Sequence, residues 1–160
     1  MQLIVAIDEH TRGIGVDGNL LCRIPEDMAF FRSKTLEKTV LMGHNTLKSL
    51  PNSTPLKDRC NIIMSHDPNL EVENAIVCHD VSELPKDNDI YVIGGQSIYE
   101  LLLPFCDTAY ITELRFSTPM TADKFFPELG AEWTLMSTSE RHFFGDVSYQ
   151  FKRYERSKIL

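Results

Sequence analysis

The chain has 160 residues, a formal net charge of −7 and four cysteines, and its length suits one ordinary domain with a core of its own. The acidic balance argues against a nucleic-acid partner, because phosphate backbones are bound through basic surfaces. Cys22, Cys60, Cys78 and Cys106 form no Cys-x-x-Cys pair, so neither a zinc site nor a redox dithiol is expected, and free thiols in a reducing cytosol fit best.

In chain order, the apolar run 2–7 ends in acid at Asp8 with no basic region before it, so it reads as a strand and not as a signal peptide. No apolar stretch approaches the ~20 residues of a membrane helix, and a soluble, cytoplasmic protein is expected. Residues 11–24 carry Gly13, Gly15 and Gly18 and read as a lid-like loop. Pro25-Glu26-Asp27 opens a helix over 25–35, with proline at its start and acids in its first turn. The runs 39–43, 60–64, 75–78 and 89–93 are short and rich in Ile, Val and Leu, as parallel strands buried on both faces are. Helical segments at 45–50 and 96–103 lie among them, the second with Ile98, Leu101 and Leu102 at helical spacing. After residue 105 the stretches 108–114, 132–138 and 148–154 alternate, which predicts antiparallel strands at one end of the sheet. No repeat or linker divides the chain, so 1–160 is expected to be a single α/β domain with a mixed sheet.

Asp27 and Phe31 are four residues apart and share a helix face, which places a carboxylate beside an aromatic ring. Standing alone, Asp27 is an ordinary first-turn acid; in an apolar pocket that raises its pKa, it would bind an amidine-like heterocycle and assist its protonation. Two junctions, Gly43-His44-Asn45-Thr46 and Gly94-Gly95-Gln96-Ser97-Ile98, run from a strand through glycine into a helix start, where free N–H groups face anions. Two such junctions at the carboxyl ends of buried strands favour a dinucleotide cleft, although the Gly-x-Gly-x-x-Gly pattern is absent. Arg59, just before a strand, is either a solvated arginine or a bidentate clamp for a carboxylate. His10, His66, His79 and His142 lack metal-ligand spacing and are assigned to surface or loops, so no metal is expected. Trp133, Phe143, Phe144 and Phe151 are assigned to core or turn packing.

Taken in order, Ile4-Val5-Ala6, Gly13-Ile14-Gly15, Ile24-Pro25-Glu26-Asp27-Met28, Phe31, Met42-Gly43-x-x-Thr46, Arg59-Cys60-Asn61, Ile93-Gly94-Gly95-x-x-Ile98-Tyr99, Thr112 and Asp123-x-x-Phe126-Pro127 resemble the bacterial dihydrofolate reductases over residues 2–154. The resemblance implies a central eight-stranded, mostly parallel mixed sheet with four flanking helices. It also implies NADPH-dependent reduction of 7,8-dihydrofolate to tetrahydrofolate, with antifolates as inhibitors. By the same carry-over Asp27, supported by Thr112, is the catalytic pair. Substrate contacts fall to Ile4, Val5, Asp27, Met28, Phe31, Leu50, Leu56, Arg59, Ile93, Tyr99 and Thr112. Cofactor contacts fall to Ala6, Ile14, Gly15, Gly43, His44, Asn45, Thr46, Ser65, His66, Gly94, Gly95, Gln96, Ser97 and Ile98, with a cis bond between Gly94 and Gly95. A monomer is expected.

The chain departs from the family pattern at Leu21-Cys22, where many bacterial members carry Pro-Trp. It departs again at His44 and Ser97, where arginines often grip the cofactor's 2′-phosphate. Two other readings remain open on sequence: a fold relative such as the pyrimidine reductase of riboflavin synthesis, and a non-catalytic nucleotide-binding module.

Overall fold

A computed structural model describes residues 1–86 and 89–157. Its strands are β1 (Gln2–Asp8), β2 (Gly13–Val16), β3 (Asn19–Leu20), β4 (Thr39–Gly43), β5 (Cys60–Met64), β6 (Ile76–Cys78), β7 (Ile90–Gly94), β8 (Thr108–Phe116), β9 (Lys124–Phe125), β10 (Trp133–Thr138), β11 (His142–Phe144) and β12 (Val147–Arg156). The helices are α1 (Pro25–Thr35), α2 (His44–Ser49) and α3 (Gln96–Leu102). The β6–β7 connection adds a 3-10 turn at Val81–Glu83, one of three short 3-10 segments among the described residues.

The main sheet runs β10-β12-β8-β1-β7-β4-β5-β6, with β11 also paired to β12. β1, β4, β5, β6, β7 and β8 pair in parallel, while β12 runs antiparallel to β8, β10 and β11. β10 meets residues 152–156 of β12 and β11 meets residues 147–149, so the two occupy one flank and nine strands fill eight positions.

Val40, Leu41 and Met42 are fully buried, as a central strand covered on both faces requires. Alternation sends them to opposite sides: Leu41 joins the core beneath α3 with Leu3, Val92 and Leu102, and Val40 and Met42 pack with Leu47 of α2. Helix α1 starts at its proline and docks on the antiparallel end of the sheet, its Phe30 ring 6.1 Å from Tyr110 and 4.8 Å from Phe151.

Three local expectations change. The segment 11–24 is built as the β2–β3 hairpin, and β9 extends it into a small second sheet, because Gly13 and Gly15 find partners in Phe125 and Lys124. Trp133 and Phe151 pack inward, but Phe143 is 75% exposed and Phe144 45%, since the short β11–β12 hairpin turns both rings away from the core. His142 lies in a strand and is half-buried.

Candidate active site

A cleft of about 1090 Å³ opens at the carboxyl ends of β1, β4, β5 and β7, beside α1 and the β2–β3 hairpin. That is the top of the ~300–1,000 Å³ range of small-molecule sites and leaves room for two ligands in contact.

The acidic end is made by α1 and β8. Ala6 and Thr112 are register partners, so both project toward the helix, and Thr112 is 2% exposed. Its Oγ1 donates a 2.7 Å hydrogen bond to Asp27 Oδ1. No Lys, Arg or His pairs with Asp27 among the described residues. Burial therefore pushes the Asp27 carboxyl above its ordinary range, and the Thr112 bond offsets part of the rise. Met28, Phe31, Leu50, Leu56 and Ile93 supply apolar wall around it. The fully buried phenol of Tyr99 donates to the Ile4 carbonyl at 2.8 Å and ties α3 to β1 beneath the cleft floor.

The second end is glycine. β4 and β7 pair in parallel with Met42 opposite Gly94, which brings the β4–α2 and β7–α3 turns face to face. A Cβ on Gly43 would stand 3.0 Å from Ile98 Cγ1, and one on Gly95 3.3 Å from Thr46 Oγ1. Gly94 has φ +132°, and the Gly94–Gly95 peptide is cis. Bare backbone thus lines the gap between two helix starts, where first-turn N–H groups lack the i−4 acceptor, although that of Ile98 donates to the Gly95 carbonyl at 3.1 Å. A dinucleotide's diphosphate suits this backbone-lined, donor-rich cradle better than an apolar group does.

Every candidate substrate and cofactor residue lines this cleft except Thr112 and Arg59. Thr112 reaches it through Asp27. Arg59 lies outside the lining, its Nε donating to Thr35 Oγ1 at 3.3 Å and its Nη1 to the Lys57 carbonyl at 2.8 Å. Burial and nearby Arg32 lower that guanidinium from its usual value, opposed by Asp58.

Sequence reasoning quoted Asp123 only as part of a motif, without a site role, and missed Leu114, His79, Asp80 and Lys124; all five line the cleft. Leu114 was accessible from period-two spacing after Thr112, and His79 and Asp80 from their place just past a strand's carboxyl end. Asp123 has no such local signal: its Oδ2 accepts from the Asp17 N–H at 3.0 Å and holds the hairpin from more than a hundred residues away. Cys22 also faces the cleft, where burial raises its thiol pKa.

Fold and cleft together define the α/β class with a cleft roomy enough for two ligands at the carboxyl ends of parallel strands. The family model described as dihydrofolate reductase matches residues 1–156. A dihydrofolate reductase of Mycobacterium tuberculosis is 32% identical over 146 residues, covering 90% of this chain and 91% of its own. That of Bacillus subtilis is 28% identical over 163 residues, covering 98% and 94%. Among solved structures, dihydrofolate reductase from Enterococcus faecalis, complexed with NADP(H) and RAB-propyl, superposes with a TM-score of 0.86 at 28% identity, covering 98% of this chain and 96% of its own. The chain belongs to the dihydrofolate reductase family.

Proposed function

We propose that residues 1–160 act as one dihydrofolate reductase domain, catalysing NADPH-dependent reduction of 7,8-dihydrofolate to tetrahydrofolate with Asp27 as the proton-handling group. The observation that carries this reading is a half-buried carboxylate, with no cationic partner among the described residues, in the same cleft as two facing glycine turns.

NADPH, when bound, supplies the hydride; the reaction then needs one proton at pterin N5. Asp27 presents carboxylate oxygens to a ring N–H and its adjacent amino group, a matched donor pair, and burial raises its pKa in the direction that favours proton handling. Thr112 fixes the carboxylate's orientation. Phe31, Leu50 and Leu56 form a dry wall for the aromatic part of the substrate, with Ile4, Val5, Met28, Ile93 and Tyr99 completing the pterin's surroundings. Ala6, Ile14 and Gly15 orient the nicotinamide, the turns from Gly43 to Thr46 and from Gly94 to Ile98 take the phosphates, and Ser65 and His66 reach the adenosine end. Arg59 takes the substrate's α-carboxylate.

The protein works as a monomer without nucleic acid, and its surroundings are the cytosol; no helix among the described residues is long and apolar enough to cross a membrane. Antifolates that mimic the pterin compete for Asp27. Mixing the protein with dihydrofolate and either NADPH or NADH tests the reading: nicotinamide oxidation that is faster with NADPH is expected, and no oxidation with either cofactor would overturn it.

A further inference from the structure

The first turn of α1 carries the proposed proton-handling group, yet little of that turn is buried: Pro25, Glu26, Met28 and Ala29 are exposed, and the helix's buried residue, Thr35, lies at its far end. Ile24 at the N-cap offers no side-chain hydrogen bond. Ile24 itself is 2% exposed and anchors the N-cap in the core, while within the first turn the Thr112 hydroxyl reaches only Asp27 itself.

Glu26, the neighbour of Asp27, is held from another direction. Its Oε1 lies 3.4 Å from His142 Nδ1 on β11. The imidazole is not free to wander, because it stacks on Tyr149 at 5.5 Å with an interplanar angle of 22° and meets the edge of Phe151 at 5.8 Å. Tyr149 is 3% exposed and packs with Ile24 and Leu114, so the stack rests on the core beneath the helix start. Glu26, half-exposed next to Asp27, thus receives two contacts from this end of the sheet: the stacked imidazole and a hydrogen bond from the Tyr149 hydroxyl.

We propose that His142 is a positioning residue: its contact with Glu26 clasps the first turn of α1 to the β11–β12 hairpin and so holds Asp27 at the geometry of its Thr112 bond. The proposal rests on the reading of Asp27 as the proton-handling group. Neither side chain belongs to the cleft lining, so the effect passes through the helix and not through contact with ligand.

The test compares two replacements of His142, both read by single-turnover hydride transfer from NADPH to dihydrofolate and by equilibrium binding of NADPH alone. His142→Asn keeps a donor close to the Nδ1 position but loses the stack, whereas His142→Phe keeps the stack but loses the donor. Hydride transfer should fall about fivefold in His142→Phe, the scale of one hydrogen bond, and stay near wild type in His142→Asn, with NADPH affinity unchanged in both. Glu26→Ala, which also loses the Tyr149 bond, should fall at least as far as His142→Phe, and the double variant Glu26→Ala/His142→Phe should lose no more than Glu26→Ala alone. The reverse order, with Phe at full rate and Asn impaired, makes the imidazole a packing element only and overturns the proposal, as does additive loss in the double variant. Asp27→Asn runs beside them: if it keeps full rate, the underlying reading fails, and if it is impaired while His142→Phe is not, the clasp alone fails.

Discussion

Thr112 on β8 donates a 2.7 Å hydrogen bond to the carboxylate of Asp27 on α1, across 85 residues of chain. The bond lowers a pKa that burial raises, so the two residues set together where the acid titrates. Thr112→Val keeps the shape and removes the donor. The Asp27 pKa should then rise further, and the pH at which hydride transfer begins to fall should move upward, because the proton is held to higher pH. Dihydrofolate should bind about fivefold more weakly, as for one lost hydrogen bond. A pH series of single-turnover rates, with substrate titrations, checks both.

Asp27 should also cost the fold stability at neutral pH. Its folded pKa lies above that of an unfolded carboxyl, so the folded chain holds the proton more tightly and stability declines as pH rises from ~3.9 through the folded value. Asp27→Asn removes that decline. Its melting temperature should exceed that of wild type at pH 7, and the advantage should vanish below pH ~3.9. Thermal melts at the two pH values decide it; a variant melting lower at pH 7 contradicts the desolvation argument.

Arg59→Ala separates substrate-tail recognition from chemistry. The Michaelis constant for dihydrofolate should rise about tenfold or more, the scale of a charge-assisted hydrogen bond, while a pterin lacking the glutamate tail should react unchanged. Steady-state kinetics with both substrates gives the comparison, and equal effects on the two would remove Arg59 from the site.

Gly95→Ala probes the glycine cradle. The residue's φ of −94° accepts a side chain, but the new Cβ would stand 3.3 Å from Thr46 Oγ1 in the gap between the two turns. NADPH affinity should fall about tenfold, in line with the ~1–3 kcal/mol of other overpacked sites, with dihydrofolate affinity little changed. Fluorescence titration of each ligand separately measures this.

The sequence was most readable where burial is symmetric or caps are chemical. Residues 39–43 and 60–64 are strands to the residue, because runs covered on both faces end where polarity returns. Helix α1 starts at Pro25, where that ring's fixed φ puts it. The glycine turns and Asp27 were legible for the same reason: each marks a local backbone or chemical need. What stayed hidden depends on distant partners. Gly13 and Gly15 look like loop residues until β9 arrives to pair with them, and the role of Asp123 exists only through the Asp17 N–H. His142 had no metal partner in sequence and was set aside, whereas its neighbours in space are Glu26 and Tyr149. The orientation of Arg59 is likewise set by Thr35, a helix away in sequence.

The most direct measurement is hydride transfer in a single turnover, with saturating NADPH and dihydrofolate, for wild type and Asp27→Asn across the pH range. A protein that delivers its proton with the help of this acid should lose about 10²-fold or more in rate on substitution, the usual worth of a placed acid–base group, and should lose the pH dependence that Asp27 imposes. Wild-type rates in Asp27→Asn, with the same pH profile, would show that the proton reaches N5 without it.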